Sequence, residues 1–324
     1  MRRTIRNVLV GFATLALAAR TATADTGASC RATARTPVAQ TVPRTPWGDP
    51  DLQGVWSGVD SMAVPLDRDT ALGTRNLLTD EEYRVRRAQL LENASRNGIE
   101  GTNFGAEPEI LRSTSRQGSL VIAPADGRRP ARTPMADARS PSRSSFSTGV
   151  FASIADLGKL DRCIASGTVP AAQPGNGLEI VQAPGFVAIR VEWIHEARVI
   201  PLDGRPHVGG AVATYAGDSR GRWEGRTLVV ETTNFNGQTN LNGNAGERPT
   251  TQLEVIERYT LTDGGVLWYE ATINDPATWT RPWTVAFPRT RDASYHLFEY
   301  ACHEGNYGVA NILRASRAAE ATSK

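Results

Sequence analysis

The sequence predicts a mainly β protein, and three observations from its second half carry that prediction. Short runs rich in β-branched and aromatic residues recur from Leu178 onward: Leu178 to Gln182, Phe186 to Trp193, Ala197 to Leu202, Trp223 to Glu231, Gln252 to Leu261, Val266 to Asn274, Trp283 to Phe287 and Leu297 to Cys302. Tight-turn signals stand between them, at Ala183-Pro184-Gly185, Asp203-Gly204 and Asp263-Gly264. No helix-length crossover separates the runs, and parallel pairing needs one, so the sheet is expected to be antiparallel. About eight meandering strands close most simply into an up-and-down, lipocalin-like (calycin-like) barrel with room for one small ligand; a two-sheet sandwich is the alternative.

The elements before the barrel read in order. Arg2, Arg3 and Arg6 precede the apolar run Val8 to Ala19, which suits an export signal and is too short to span a bilayer. Ala22-Thr23-Ala24 offers a cleavage site before Asp25, so residues 1–24 are expected to be a signal peptide. A membrane anchor or a misplaced start is the alternative. Residues 25–45, rich in Thr, Ala, Arg and Pro, read as a flexible leader. Residues 46–177 read as an N-terminal extension with one helix that packs on the barrel. In it, Trp47 to Trp56 alternates turn residues with two indoles that need apolar cover, so it should dock on the main body. Leu78 to Ser95 reads as the helix: Thr79 and Glu82 form a capping box, with Tyr83, Leu90 and Leu91 as its apolar stripe. Ser119 to Ile122 reads as a short strand and Ile154 to Ile164 as a second short helix. Residues 178–310 are expected to hold the barrel and 311–324 a tail.

Composition excludes some functions. The chain has 36 basic and 34 acidic residues, which argues against the clustered basic excess of a nucleic-acid footprint. No later apolar run reaches membrane-spanning length, so no membrane contact is expected after signal cleavage. No strand–GxxxxGK–helix occurs, and no cofactor is expected. No H-E-x-x-H spacing occurs either, so no metal is expected. Export permits a disulfide. Three cysteines allow one bridge, and Cys163 with Cys302 is the natural pair because Cys30 lies in a polar segment after the cleavage site. Two buried thiols are the alternative.

Strand parity singles out two residues. Val187, Ile189, Val191, Trp193, His195, Ala197 and Val199 share a face if the strand runs through without a bulge, and His195 is the ionisable exception on it. Its ordinary pKa suits proton transfer; a core histidine bonded to the backbone is the alternative. On that parity Glu196 and Arg198 point the other way. Leu253, Val255, Glu257, Tyr259 and Leu261 share another face, where the Glu257 carboxylate needs a cation or a histidine, with Arg281 or His195 as the expected partner. His303 and Glu304 form a second acid–base pair or a polar turn. Trp223, Tyr259, Trp279, Trp283 and Tyr300 are candidate pocket walls. Asp218, Arg220 and Arg222 are expected to lock their loop by ion pairs.

The windows Pro46 to Trp56, Arg162-Cys163-Ile164, Ile194 to Arg198, Ile200 to His207, Gly217 to Gly225, Thr227 to Phe235, Thr280 to Trp283 and Tyr300 to Tyr307 together resemble a large family of exported bacterial proteins of mostly unassigned function. The resemblance covers nearly all of residues 46–310. It implies export, the Cys163 and Cys302 positions and one integrated domain, and it carries no catalytic assignment. Members commonly have an acidic residue where this chain has Arg226.

Two functions fit these residues. One is a cofactor-independent lyase or isomerase acting on a small apolar or aromatic compound, with His195 as base, Glu257 as orienting or acid group, His303 and Glu304 as a second pair, and Arg281 holding an anionic group. The other is an exported small-molecule carrier without turnover, which needs the aromatic walls and not the titratable pair. A surface protein whose motifs only lock loops is a third.

Overall fold

The computed structural model describes residues 42–96, 113–139, 150–158, 161–164, 177–192, 194, 196–238 and 249–322, all within one compact unit, Gln40–Lys324. Its ten strands are β1 (Gly54–Ser57), β2 (Val121–Ala123), β3 (Leu178–Ala183), β4 (Phe186–Val191), β5 (Ala197–Pro201), β6 (Asp218–Glu224), β7 (Thr227–Thr233), β8 (Glu254–Leu261), β9 (Leu267–Asn274) and β10 (Trp283–Arg291). They form one sheet in the order β5-β4-β3-β1-β10-β9-β8-β7-β6, with β2 paired to β10 off this path. The sheet curls into a nearly closed antiparallel barrel, as expected.

The closure has a topological cost. Nine strands are joined by eight antiparallel pairings, so the end strands β5 and β6 run in the same sense and share no ladder. The connection 202–217 therefore returns along the barrel from one end to the other. At this seam β6 places Gly221, where an added Cβ would lie 2.6 Å from Leu202 Cδ2 and 2.9 Å from Ile200 Cγ2. The missing side chain lets the two edges close on apolar contact.

Two hairpins show why the chain turns where it does. Ala183 pairs with Phe186 across Pro184-Gly185, with Gly185 at φ 79°: proline pre-sets the first turn residue and glycine accepts the left-handed second. Glu224 pairs with Thr227 across Gly225-Arg226, with Gly225 at φ 62° as the first turn residue.

The N-terminal segment does more than pack beside the barrel. The strand β1 lies between β3 and β10 and completes the wall. Buried Gln182 holds it in place, accepting from Leu52 N at 2.6 Å and donating to Pro50 O at 3.0 Å. The Trp56 indole donates to Leu52 O and is fully buried. The barrel thus takes one strand from outside 178–310 and ends at Arg291. Residues 297–302, expected as a strand, form none, because β1 already occupies the outer edge of β10. The expected tail is largely the helix α3 (Gly308–Thr322), whose Ser316 accepts from Phe151 N. The second expected helix is only a 3₁₀ turn at Ile154–Asp156.

Helix α1 (Asp80–Arg96) carries the expected capping box: Glu82 N donates to Thr79 Oγ1, and Thr79 N donates to Glu82 Oε2. No side chain described on it is buried; Tyr83 and Leu90 are half-buried and Leu91 is exposed. A five-residue helix, α2 (Pro134–Ala138), is capped by Thr133. Buried Arg68 fastens the extension, donating to Ser119 Oγ and to the carbonyls of Ala125 and Val121. Cys163 and Cys302 are bridged, with Cα atoms 5.6 Å apart.

Candidate functional site

The centre of the barrel is polar. On β8 the residues Val255, Glu257, Tyr259 and Leu261 all face inward, as parity predicts. Among the described residues the charged partner of Glu257 is not Arg281 but Arg198, whose Nη1 lies 2.5 Å from Oε2 and Nη2 3.0 Å from Oε1. Arg198 was expected to point outward. The chain instead turns between β4 and β5, with Ile194 at φ 57°, and this hairpin resets the parity. Ala197 and Val199 face out, while Arg198 and Ile200 face in.

Two phenols complete the network. Tyr259 and Tyr269 donate to Glu257 Oε1 at 2.7 and 3.1 Å. Both hydroxyls are pushed well above their ordinary value, first by burial and then by the Glu257 charge, so they stay protonated donors. Burial would lower the Arg198 guanidinium; the Glu257 carboxylate outweighs it and raises Arg198 above its ordinary value. Arg198 also reaches Thr232 Oγ1 at 3.5 Å, and Thr232 shares a 2.9 Å bond with Ser219. Arg289 is fully buried on the inward face of β10, its guanidinium 5.1 Å from the Phe287 ring centroid and 5.8 Å from that of Tyr269. Burial lowers it to about 10.

A cleft lies at one end of this packed interior. It measures about 420 Å³ and is lined by Val42, Pro43, Trp56, Leu261, Thr262, Asp263, Gly265 and Arg291. Arg291 and Trp56 are cross-strand partners and so share a face, and the guanidinium carbon lies over the indole, 4.8 Å from its ring centroid. The residues 287, 289 and 291 thus run along the inner side of β10 from the centre to this mouth. Trp223, at inward parity on β6 and packed against the core, lies near the same end.

The other expected site residues are scattered. Trp279 and Trp283 are buried in an edge-on pair with centroids 5.4 Å apart, and Arg281 between them is exposed. They stand at the opposite end of the barrel, where Trp283 is the first residue of β10. His303 and Glu304 occupy an exposed turn beside the disulfide, and Tyr300 is 40% exposed. Neither His303 nor Glu304 joins the Glu257 network. His195 and Trp193 lie outside the described residues.

His207 was given no role from the sequence and pairs with Asp218. His207 Nδ1 lies 2.8 Å from Asp218 Oδ2, which also accepts from Val208 N, while Asp218 Oδ1 accepts from Arg220. Burial would raise Asp218; these donors, led by the Val208 N–H, hold it below its ordinary value. Asn234, at φ 59°, donates to the carbonyls of Val208 and Val212. Asp218 and Arg220 thus lock the preceding loop that returns across the seam, whereas the segment Gly217 to Gly225, expected as a loop, is itself strand β6 with Arg222 paired to Glu224. The Asp218 in the Gly217-Asp218-Ser219 turn, eleven residues after His207, was the available signal.

Among the described residues no three of His, Cys, Asp and Glu gather as metal ligands, and no helix is long and apolar enough to cross a membrane. No protein-family model matches the chain, and no curated protein matches it. Among solved structures, the fluorescent protein UnaG (wild type) is similar at a TM-score of 0.23 and 11% identity, covering 42% of this chain and 90% of that one. A likeness of that size carries no argument about a ligand or a reaction.

Proposed function

We propose that this is an exported protein that holds a small molecule in the mouth of its barrel without turning it over. The observation that carries this reading is the inner side of β8 to β10. Glu257, Tyr259, Tyr269, Arg289 and Arg291 form a polar track from the barrel centre to a cleft at one end. Buried charges cost several kcal/mol each on the order of the general desolvation penalty, and folding alone is better served by an apolar core. A barrel mouth with apolar walls and a few convergent polar groups is the usual form of a small-molecule site. The Cys163–Cys302 bridge suits an oxidising compartment, and the basic, apolar N-terminus suits export.

Binding is favoured over acid–base turnover by the state of Glu257. Its two oxygens take four hydrogen bonds, from both Arg198 Nη atoms and both phenols. Three of them fall on Oε1 and one on Oε2, and the group is fully buried and outside the cleft lining, whereas a general base must reach its substrate's proton. The test is thermal unfolding of the purified protein against a mixed library of acids, amines and neutral aromatics. The reading expects at least one compound class to raise the midpoint in a saturable way. No shift with any class would refute it.

A further inference from the structure

Resting on the binding reading above, we infer that Arg291 is the anion seat of the mouth site, and that the ligand is a small monocarboxylate with an apolar body. The guanidinium carbon lies over the Trp56 ring, 4.8 Å from its centroid. A cation–π contact acts through the charge and does not supply the guanidinium N–H groups with a hydrogen-bond acceptor. Among the described residues Arg291 has no hydrogen-bond acceptor and no acidic partner. The carboxylate of the cleft, Asp263, is taken by Arg226. Thr262 is also occupied, its hydroxyl donating to Val266 O. The seat therefore presents one pre-oriented, unneutralised cation.

The rest of the cleft is apolar. Leu261, Val42 and Pro43 line it beside the guanidinium. A planar fork held at one end of an apolar cleft matches a carboxylate bidentately, and the walls then cover the ligand's hydrocarbon. A dianion would lack a second cation in the lining, and a cation would meet Arg291. A neutral amide keeps the shape of the acid and loses the charge-assisted pair. A cleft of about 420 Å³ accommodates a phenylpropenoid or a short alkyl chain.

The test is calorimetric titration of the full protein with cinnamate and octanoate, each beside its neutral amide. The acids are expected to bind, and the amides to bind at least about tenfold more weakly. Arg291→Met should lose at least about tenfold toward the acids and little toward the amides, while Arg291→Lys, which keeps charge without the fork, should fall between. Arg291 is exposed, so both variants should unfold near the wild-type midpoint, and a midpoint within a few degrees is the control for folding. Acid and amide binding equally, or Arg291→Met binding acids as wild type does, would overturn the assignment. If the acids bind and Arg291→Met makes no difference, the seat fails while the binding reading stands. If neither acid binds but another library class stabilises the protein, the carboxylate fails and the binding reading again survives.

Discussion

Removing one charge from the Arg198–Glu257 pair should be among the most damaging single changes in the barrel. Both groups are almost wholly buried, at 4% and 0% side-chain exposure. Glu257→Gln keeps the shape and an amide oxygen for Tyr259 and Tyr269, but leaves the Arg198 cation in the barrel centre without its counter-charge. Arg198→Met leaves the carboxylate with only two phenol donors. Breaking such a pair from one side costs about 3–5 kcal/mol. Replacing both charges together removes both desolvation penalties, and the amide oxygen of E257Q still accepts the phenols. The double variant should therefore lie within about 2 kcal/mol of wild type and be more stable than either single one. Urea unfolding, followed by tryptophan fluorescence, reads all four proteins. Single variants that lose less than about 1 kcal/mol, or a double variant that loses the sum of both, would refute a directly coupled buried pair.

Three further outcomes are expected. Gly217→Ala should destabilise more than Gly225→Ala: both have positive φ, but a Cβ at Gly217 would meet Thr233 O at 2.5 Å while none lies within 4 Å at Gly225. Strain alone is worth about 1–2 kcal/mol at each, so equal losses by chemical denaturation would contradict the close contact at Gly217. Cys163→Ser with Cys302→Ser should cost about 2–5 kcal/mol, and labelling of the native, non-reduced protein should modify neither cysteine; native labelling at either would contradict the bridge. Acid should destabilise the protein. Asp67 and Asp218 both sit below their ordinary value: burial opposes this in each, but Arg129 outweighs it at Asp67, and Val208 N, His207 and Arg220 outweigh it at Asp218. A carboxylate with a depressed folded value contributes stability that is complete above its unfolded value and lost as pH falls through the folded one. Thermal midpoints should thus hold down to about pH 5 and drop below about pH 4; a midpoint that rises on acidification would contradict these assignments.

What the sequence made legible follows strand period. Leu253 to Leu261 alternates cleanly, so the inward face of β8 and the buried carboxylate on it could be read directly. The partner could not, because parity from Val187 to Val199 assumed one unbroken strand. Ile194 takes a left-handed backbone conformation that a β-branched residue rarely adopts, and no sequence signal marks it. The resulting hairpin brings Arg198 inward, and with it the whole network. The strand β1 was hidden for another reason: four residues beginning at a glycine are too short to show a period, and their place is set by Gln182, 130 residues from Leu52. Once β1 takes the edge of β10, the run Leu297 to Cys302 loses the neighbouring edge that its place in the sequence suggested. The disulfide was legible by count, since an expected export signal permits a bridge and the two cysteines within the folded region leave one pairing. Arg291 was missed because an exposed arginine at a strand end reads as ordinary surface; only its register opposite Trp56 sets it at the mouth.

The central claim is that the barrel mouth is a ligand site, and amide NMR tests it most directly. Cinnamate titrated into ¹⁵N-labelled protein should shift the Trp56 indole and the backbone amides of Leu261, Gly265 and Arg291 together, along one saturable curve. Shifts confined to the exposed turn at His303 and Glu304, or no saturable shift at the mouth while binding is measured by calorimetry, would contradict it.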